Sequence, residues 1–324
     1  MVKNDYNETK FVKKLKLPKL IAVLGPTASG KTAMGIELAK KFQGEIISAD
    51  SRQIYKYMDI GTAKEPGEMK KDENGRPYLL AGGIRHYGID LVDPGQTYTV
   101  AEFKQYALDV IKEILKRRHL PMLVGGTGFY IRAIVENLDI PKVAPNKKLR
   151  KSFEEKSLEE LVKLLKDVDP RSAKKVDLKN KRRVLRALEV AILTGQSFTQ
   201  QQKKGPKLFD ALEIGLEIDR AKLYERIDKR VEQQFKDGLV EEAKKLVSRR
   251  KYKWNLPSMS GIGYKEAGQY LRGEIGLERA KELIKFRTHD YARRQLTWFR
   301  KDKKIKWIKT SKEAGKLVRK FLNK

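Results

Sequence analysis

The run from Leu20 to Thr32 limits what this chain can fold into more than any other stretch. Leu20, Ile21, Ala22, Val23 and Leu24 are an unbroken apolar series, the pattern of a strand buried on both faces of a parallel sheet. Gly25, Pro26, Thr27, Ala28, Ser29, Gly30, Lys31 and Thr32 follow directly and satisfy G-x-x-x-x-G-K-[ST] at every fixed position. Glycines let backbone N–H groups turn inward around phosphate oxygens, and the start of a helix adds its dipole. Lys31 supplies a cation, and the Thr32 hydroxyl is placed to ligate Mg²⁺. Met34, Leu38 and Phe42 recur at four-residue spacing and give the following helix one apolar stripe.

The rest of the chain extends this start into a sheet. Glu45 to Ser48 reads as a second strand ending at Ala49, Asp50 and Ser51. Thr99 and Glu102 have capping-box spacing ahead of a helix whose apolar face is Val100, Phe103, Ala107, Val110, Ile111 and Ile114. Pro121 to Val124 forms a third buried strand ending in Gly125, Gly126 and Thr127. This alternation predicts an α/β fold, a P-loop NTPase-like parallel sheet flanked by helices. From about Ile140 to Pro206 only helical patterns occur, with Asp169 and Pro170 as an N-cap and first helical residue, so a smaller all-helical insertion domain is expected. Alternation of Leu212, Ile214, Leu216 and Ile218 resumes the sheet, a helix follows Asp219, and Ile305 to Ile308 is a last short strand. The expected organisation is a flexible basic arm at 1–18, a catalytic core of 19–139 and 207–310 ending in basic helices, the insertion at 140–206, and a C-terminal helix or tail at 311–324.

Charge narrows the partners. Seventy-two Lys and Arg against 42 Asp and Glu leave a net +30, a surplus that must lie on the surface and attract polyanions, RNA or DNA first among them. Lysine enrichment unrelated to any ligand is the competing explanation. With no cysteine there is no disulfide, no thiolate zinc site and no thiol nucleophile, in keeping with a reducing cytoplasm. His86, His119 and His289 are too scattered for a metal cluster, and the apolar run at Leu20 is too short to span a membrane.

The loop alone does not say which phosphate compound it holds. An NTPase usually carries a carboxylate at the end of a nearby strand, yet the strand at 122–124 ends in Gly125, Gly126 and Thr127. The carboxylate that does emerge from a strand end near the loop is Asp50, at the carboxyl edge where open α/β sheets bind ligands. Metal ligand, general base and cap for the following turn are all open to it.

Five segments in order resemble the tRNA dimethylallyltransferases, also called tRNA isopentenyltransferases, of bacterial type: Gly25 to Thr32, Ile47 to Tyr55, Met58 to Lys64, Val124 to Thr127 and Arg182 to Glu189. The resemblance runs from about Leu20 to Trp307. It implies transfer of a dimethylallyl group from dimethylallyl diphosphate to N6 of adenosine 37, beside the tRNA anticodon, with release of diphosphate and help from Mg²⁺. By the same resemblance Asp50 is the base, with Thr127 and Arg230 also catalytic, and Gly25, Pro26, Thr27, Ala28, Ser29, Gly30, Lys31 and Thr32 hold the diphosphate. The anticodon loop would meet Asp50, Ser51, Arg52, Gln53, Thr127, Arg150, Arg182, Arg183, Arg186, Ser260, Gly261, Gly263, Tyr264 and Lys265. A monomer is expected.

Helical periodicity sets Arg182 and Arg186 opposite Val184, Leu185 and Leu188, free to meet phosphates. Arg230 has a plainer reading too, because Lys222, Arg226 and Arg230 at i, i+4 spacing also describe the solvated face of a helix. The chain departs from the family pattern in a long 65–92 segment and in Val176 to Asn180 ahead of the arginine pair. A small-molecule kinase, an enzyme prenylating free AMP or ADP, and a nucleic-acid-binding NTPase are the competing functions. The kinase leaves the insertion's arginines and the +30 charge unexplained, and the binding protein leaves Asp50 unexplained.

Overall fold

The computed structural model describes residues 16–141, 143, 146–201 and 203–324, so most of the expected basic arm lies outside the described residues. The chain runs β1 (Lys19–Leu24), α1 (Lys31–Phe42), β2 (Gly44–Ser48), β3 (Glu68–Lys71), β4 (Pro77–Ala81), β5 (Ile84–Tyr87), α2 (Val100–Lys116), β6 (Leu120–Gly125) and α3 (Gly128–Val135). Helices α4 (Lys147–Ser152), α5 (Leu158–Val168), α6 (Pro170–Ala173), α7 (Lys181–Thr194) and α8 (Phe198–Gln201) follow. The chain then returns through β7 (Asp210–Leu216), α9 (Arg220–Lys236), α10 (Leu239–Ser248), α11 (Tyr264–Leu271), α12 (Leu277–Phe299), β8 (Lys306–Ile308) and α13 (Ser311–Leu322).

One eight-stranded sheet has the order β3-β4-β5-β2-β6-β1-β7-β8. The six strands from β5 to β8 are parallel, and β1 lies between β6 and β7. The chain leaves β1 toward one edge and later returns to β7 on its other side, so the crevice at the carboxyl end of β1 is where such a fold binds ligands. Period-two alternation splits β1 between two cores. Leu20, Ala22 and Leu24 pack with Phe103, Ile111 and Ile131, whereas Ile21 and Val23 pack with Met34, Leu38 and Val318.

The capping box at α2 is formed, with Thr99 Oγ1 accepting from Glu102 N–H at 3.2 Å and Glu102 Oε2 accepting from Thr99 N–H at 2.7 Å. The Asp169 side chain caps α6 with Pro170 at its first position, but that helix is only four residues long. Helices α4 to α7 enclose their own apolar cluster of Phe153, Leu161, Leu165, Val184 and Leu188.

One expectation about the fold is corrected. Strand β7 ends at Leu216, so Ile218 lies beyond it. The segment at 311–324 is helix α13, which packs on α1. The long 65–92 segment folds as an antiparallel meander, β3 to β5, on the sheet edge, with β3 exposed along its whole length.

Candidate active site

The phosphate loop has the geometry its glycines allow. Ala28 (φ 61°) and Gly30 (φ 93°) both lie in the left-handed region, which turns successive N–H groups toward one concavity. As the first residues of α1, Lys31, Thr32 and Ala33 have no intrahelical acceptor for their amides. Lys31 Nζ rests on the Pro26 carbonyl at 3.2 Å. Desolvation pulls its pKa down to about 8; the charge of Asp50 opposes the shift and that of Arg230 adds to it. An incoming diphosphate would replace the lost solvation.

Two arginines of α9 reach this loop, and so the solvated-stripe reading fails for them. Arg230 Nη1 stands 3.4 Å from Thr27 Oγ1, and Arg226 Nη1 donates to the Ser29 carbonyl at 3.3 Å. All three residues of the stripe are exposed, but Lys222, unlike the two arginines, makes no contact with the loop among the hydrogen bonds and ion pairs of the described residues. Although solvent reaches Arg230, the protein around it lowers its pKa by desolvation, the condition in which an arginine gains most from an anion.

The Asp50 side is built where two strands end together. Ala49 N–H donates to the Val124 carbonyl (2.8 Å), and Thr127 N–H donates to the Ala49 carbonyl (3.0 Å). Gly125 is required at this crossing, because a Cβ there would stand 2.2 Å from the Ala49 oxygen. Thr127 Oγ1 accepts from Ser51 N–H at 3.1 Å and fixes the turn that carries Asp50. One oxygen of Asp50 accepts from Arg52 N–H at 2.8 Å, so the carboxylate caps its own turn while facing the cavity.

That cavity, about 320 Å³, joins the two sides. Thr27 and Ala28 of the loop, Asp50, Ser51 and Arg52, Arg230, and Ser260 and Gly261 all line it. Ile227, Val231 and Ile284 supply an apolar part of its wall. Three larger hollows, about 620, 520 and 490 Å³, include neither the phosphate loop nor Asp50, and the second of them adjoins this cavity through Ala63, Arg230 and Gln234.

Other expected residues sit elsewhere. Arg186 is not free: Nη1 donates to Glu189 Oε2 at 2.7 Å and Nη2 to the Val143 carbonyl at 2.8 Å. Arg150 grips the same carboxylate through Nε and Nη2, both at 2.9 Å. Glu189 is 1% exposed; burial would raise its pKa, but hydrogen bonds from the two arginines hold it below the ordinary value. Arg182 and Arg183 on α7 are exposed, the second with Asp177 at 3.5 Å. Gln53 is engaged at both ends, accepting from Ser48 Oγ and donating to the Ala63 carbonyl. Tyr264 points into the protein, its hydroxyl donating to Glu242 at 2.6 Å, and the Gly263 amide is held by Glu266. Lys265 is exposed.

Sequence reasoning missed Gln295, which α12 brings to the site beside Tyr291. Tyr291 lines the cavity; burial first, then the charge of Asp50, pushes its phenol up to about 12. Gln295 accepts from Thr27 N–H at 2.8 Å, so that amide is unavailable to a phosphate. The one signal in the sequence was a pair of polar side chains among Ala292, Leu296 and Phe299 on a core-facing helix. Among the described residues no cluster of three or more His, Cys, Asp or Glu is placed to hold a metal, and no helix is long and apolar enough to cross a membrane.

A P-loop sequence at the end of β1 and a strand-end carboxylate share one cavity in a parallel α/β fold, the arrangement of a P-loop-type enzyme. The family model described as IPP transferase matches residues 53–302. The tRNA dimethylallyltransferase of Acetivibrio thermocellus is 45% identical over 299 residues, which cover 90% of this chain and 92% of that one. The crystal structure of the full-length tRNA isopentenylpyrophosphate transferase of Bacillus halodurans superposes with a TM-score of 0.68 at 36% identity, covering 94% of this chain and 97% of the other. A eukaryotic dimethylallyltransferase acting on tRNA gives 0.70 at 30% identity over 87% of this chain and 69% of its own. The chain belongs to the IPP transferase family, the tRNA dimethylallyltransferases.

Proposed function

We propose that the chain transfers the dimethylallyl group of dimethylallyl diphosphate to N6 of adenosine 37, next to the tRNA anticodon, releasing diphosphate and giving N6-(dimethylallyl)adenosine. That the acceptor is tRNA and the group dimethylallyl follows from family membership. The atoms and residue roles are the present reading. The observation that carries it is the single cavity joining Thr27 and Arg230 on one side to Asp50 on the other.

In this reading the free amides at the start of α1, with Lys31 and Arg230, hold the diphosphate. The exocyclic nitrogen attacks the allylic carbon, the carbon–oxygen bond breaks, and its electron pair leaves with diphosphate. Asp50 takes the proton that the nitrogen loses, a contribution of roughly 10²- to 10⁴-fold. Thr127 holds the Asp50 turn through Ser51. Ile227, Val231 and Ile284 enclose the apolar allyl group and keep water from the reacting carbon. A base inside a duplex or stacked loop cannot reach Asp50, so the adenine must be flipped out.

Mg²⁺ fits this site as a companion of the diphosphate. The half-buried Thr32 hydroxyl is the protein oxygen placed for it, and a hydroxyl with phosphate oxygens and water suits this cation. When bound it would neutralise charge on the leaving diphosphate.

Incubation with dimethylallyl diphosphate, Mg²⁺ and unmodified tRNA, followed by nucleoside mass analysis, tests the reading. Prenylated adenosine from position 37 is expected. ATP consumption without prenylation would establish a kinase or NTPase instead, and prenylation of free AMP in preference to tRNA would move the acceptor.

A further inference from the structure

Gln295 lies near the C-terminal end of α12, 6% exposed, and its two polar atoms go to two different segments of the site. Oε1 accepts from Thr27 N–H in the phosphate loop, and Nε2 donates to the Gly126 carbonyl beyond β6, each at 2.8 Å. The amide cannot be reversed, since a donor would then face the Thr27 N–H and an acceptor the Gly126 oxygen. The second segment lies flat on α12. A Cβ on Gly126 would come within 2.3 Å of Gln295 Nε2, and one on Gly128 within 2.1 Å of the Trp298 ring. Between those glycines sits Thr127, whose hydroxyl holds the Ser51 amide beside Asp50. One side chain thus links Thr27, the residue facing Arg230, to Gly126, the neighbour of the residue that holds the turn carrying Asp50.

We propose that Gln295 is a positioning residue for group transfer: it fixes the separation between the diphosphate grip and the Asp50 carboxylate, and so the alignment of leaving group, allylic carbon and base. The proposal rests on the reaction given above. Neither hydrogen bond reaches a substrate, and the diphosphate amides of α1 and the apolar wall do not depend on this side chain. Loss of the link should therefore act on the chemical step rather than on binding. Misplacement by about 1 Å at a reacting centre costs on the order of 10²-fold.

The test uses the full chain with Gln295→Leu and Gln295→Glu, assayed for transfer from dimethylallyl diphosphate to unmodified tRNA. For Gln295→Leu, kcat should fall roughly 30- to 100-fold while KM for donor and tRNA stays within about threefold. A protonated carboxyl can accept from Thr27 and donate to Gly126 as the amide does, whereas the carboxylate cannot donate. In Gln295→Glu the ratio of kcat to that of the unaltered chain should therefore rise at least about tenfold from pH 8 to pH 6. The titratable and charged groups beside that position are Tyr291 and Arg294 on α12, which share its hollow; Asp50 and Arg52 after β2 and Arg230 line the adjoining cavity, and Lys31 lies further along the loop. Arg132 of α3, over the Trp298 ring, completes the set. All of these are present in both proteins, so their own titrations enter both sides of the ratio, and the variant differs by the one carboxyl and the charge it adds.

Unchanged kcat in Gln295→Leu, or equal losses in kcat and affinity with a flat ratio for Gln295→Glu, would overturn the proposal while leaving the reaction intact. If Gln295→Leu proves poorly folded by thermal melting, the pH ratio of Gln295→Glu decides alone. An unaltered chain that forms no prenylated tRNA would overturn the reaction itself and the proposal with it.

Discussion

The phosphate loop and the helical insertion both offer cations to an anionic ligand, but they do so differently. At the loop, Arg230 lines the cavity and Lys31 rests on the Pro26 carbonyl; desolvation lowers the pKa of both, and among the described residues neither is neutralised by a carboxylate in contact with it. In the insertion, Arg150 and Arg186 are already spent on the buried Glu189. One site is prepared for a ligand and the other is satisfied within the fold, although a count of positive residues makes them look alike. Basic side chains become binding groups where the protein leaves them without a partner, and spacing in the sequence reports this only when it also dictates the backbone.

The largest expected effect lies on the prepared side. Asp50→Ala should lower single-turnover prenylation roughly 10²- to 10⁴-fold while tRNA binding, measured by filter retention, changes little. A collapse of binding with chemistry preserved would move Asp50 from the reaction to the RNA interface. On the satisfied side, Arg186→Ala should destabilise the protein by about 3 kcal/mol in denaturant unfolding, because it strips a hydrogen-bonded partner from a carboxylate that is 1% exposed. A stability change near zero combined with weakened tRNA binding would place Arg186 among the RNA contacts and erase the contrast.

A smaller effect comes from pH. Lys31, with its pKa near 8, carries its proton below that value and loses it above. Donor affinity in the unaltered enzyme should therefore decline as pH rises through about 8, seen as a rising KM for dimethylallyl diphosphate. A KM flat from pH 7 to 9.5 would mean that Lys31 is not part of the grip. The smallest effect belongs to the two exposed arginines of α7. Arg182→Ala and Arg183→Ala should each reduce the slope of log affinity for tRNA against log salt by about 0.7 to 0.9, with little change in kcat. Slopes identical to that of the unaltered chain would remove α7 from the interface.

The parts that could be read from the sequence share one physical origin. The loop, the strand ends at Asp50 and Thr127, and the α2 capping box are local patterns whose spacing sets the backbone directly. Arg230 could be placed only through the family resemblance, because i, i+4 spacing on α9 fits a solvated face equally well. Pairings over long sequence separations were invisible. Glu189 lies 39 residues from Arg150, and Gln295 lies 268 residues from Thr27. Tyr264, on a glycine-rich stretch that looked open to RNA, is turned inward by Glu242 from another helix. The β3 to β5 meander escaped notice because β3 is an exposed edge strand of Glu68, Met69, Lys70 and Lys71, with no apolar alternation to mark it.

The most direct test of the central claim is a structure of the enzyme with a thiolo analogue of dimethylallyl diphosphate, in which the scissile oxygen is sulfur. The diphosphate should lie on the amides at the start of α1 with Lys31 and Arg230 against it, and the allylic carbon should point across the apolar wall toward Asp50. An analogue bound away from the phosphate loop, or bound there with its allyl group turned from Asp50, would contradict the account.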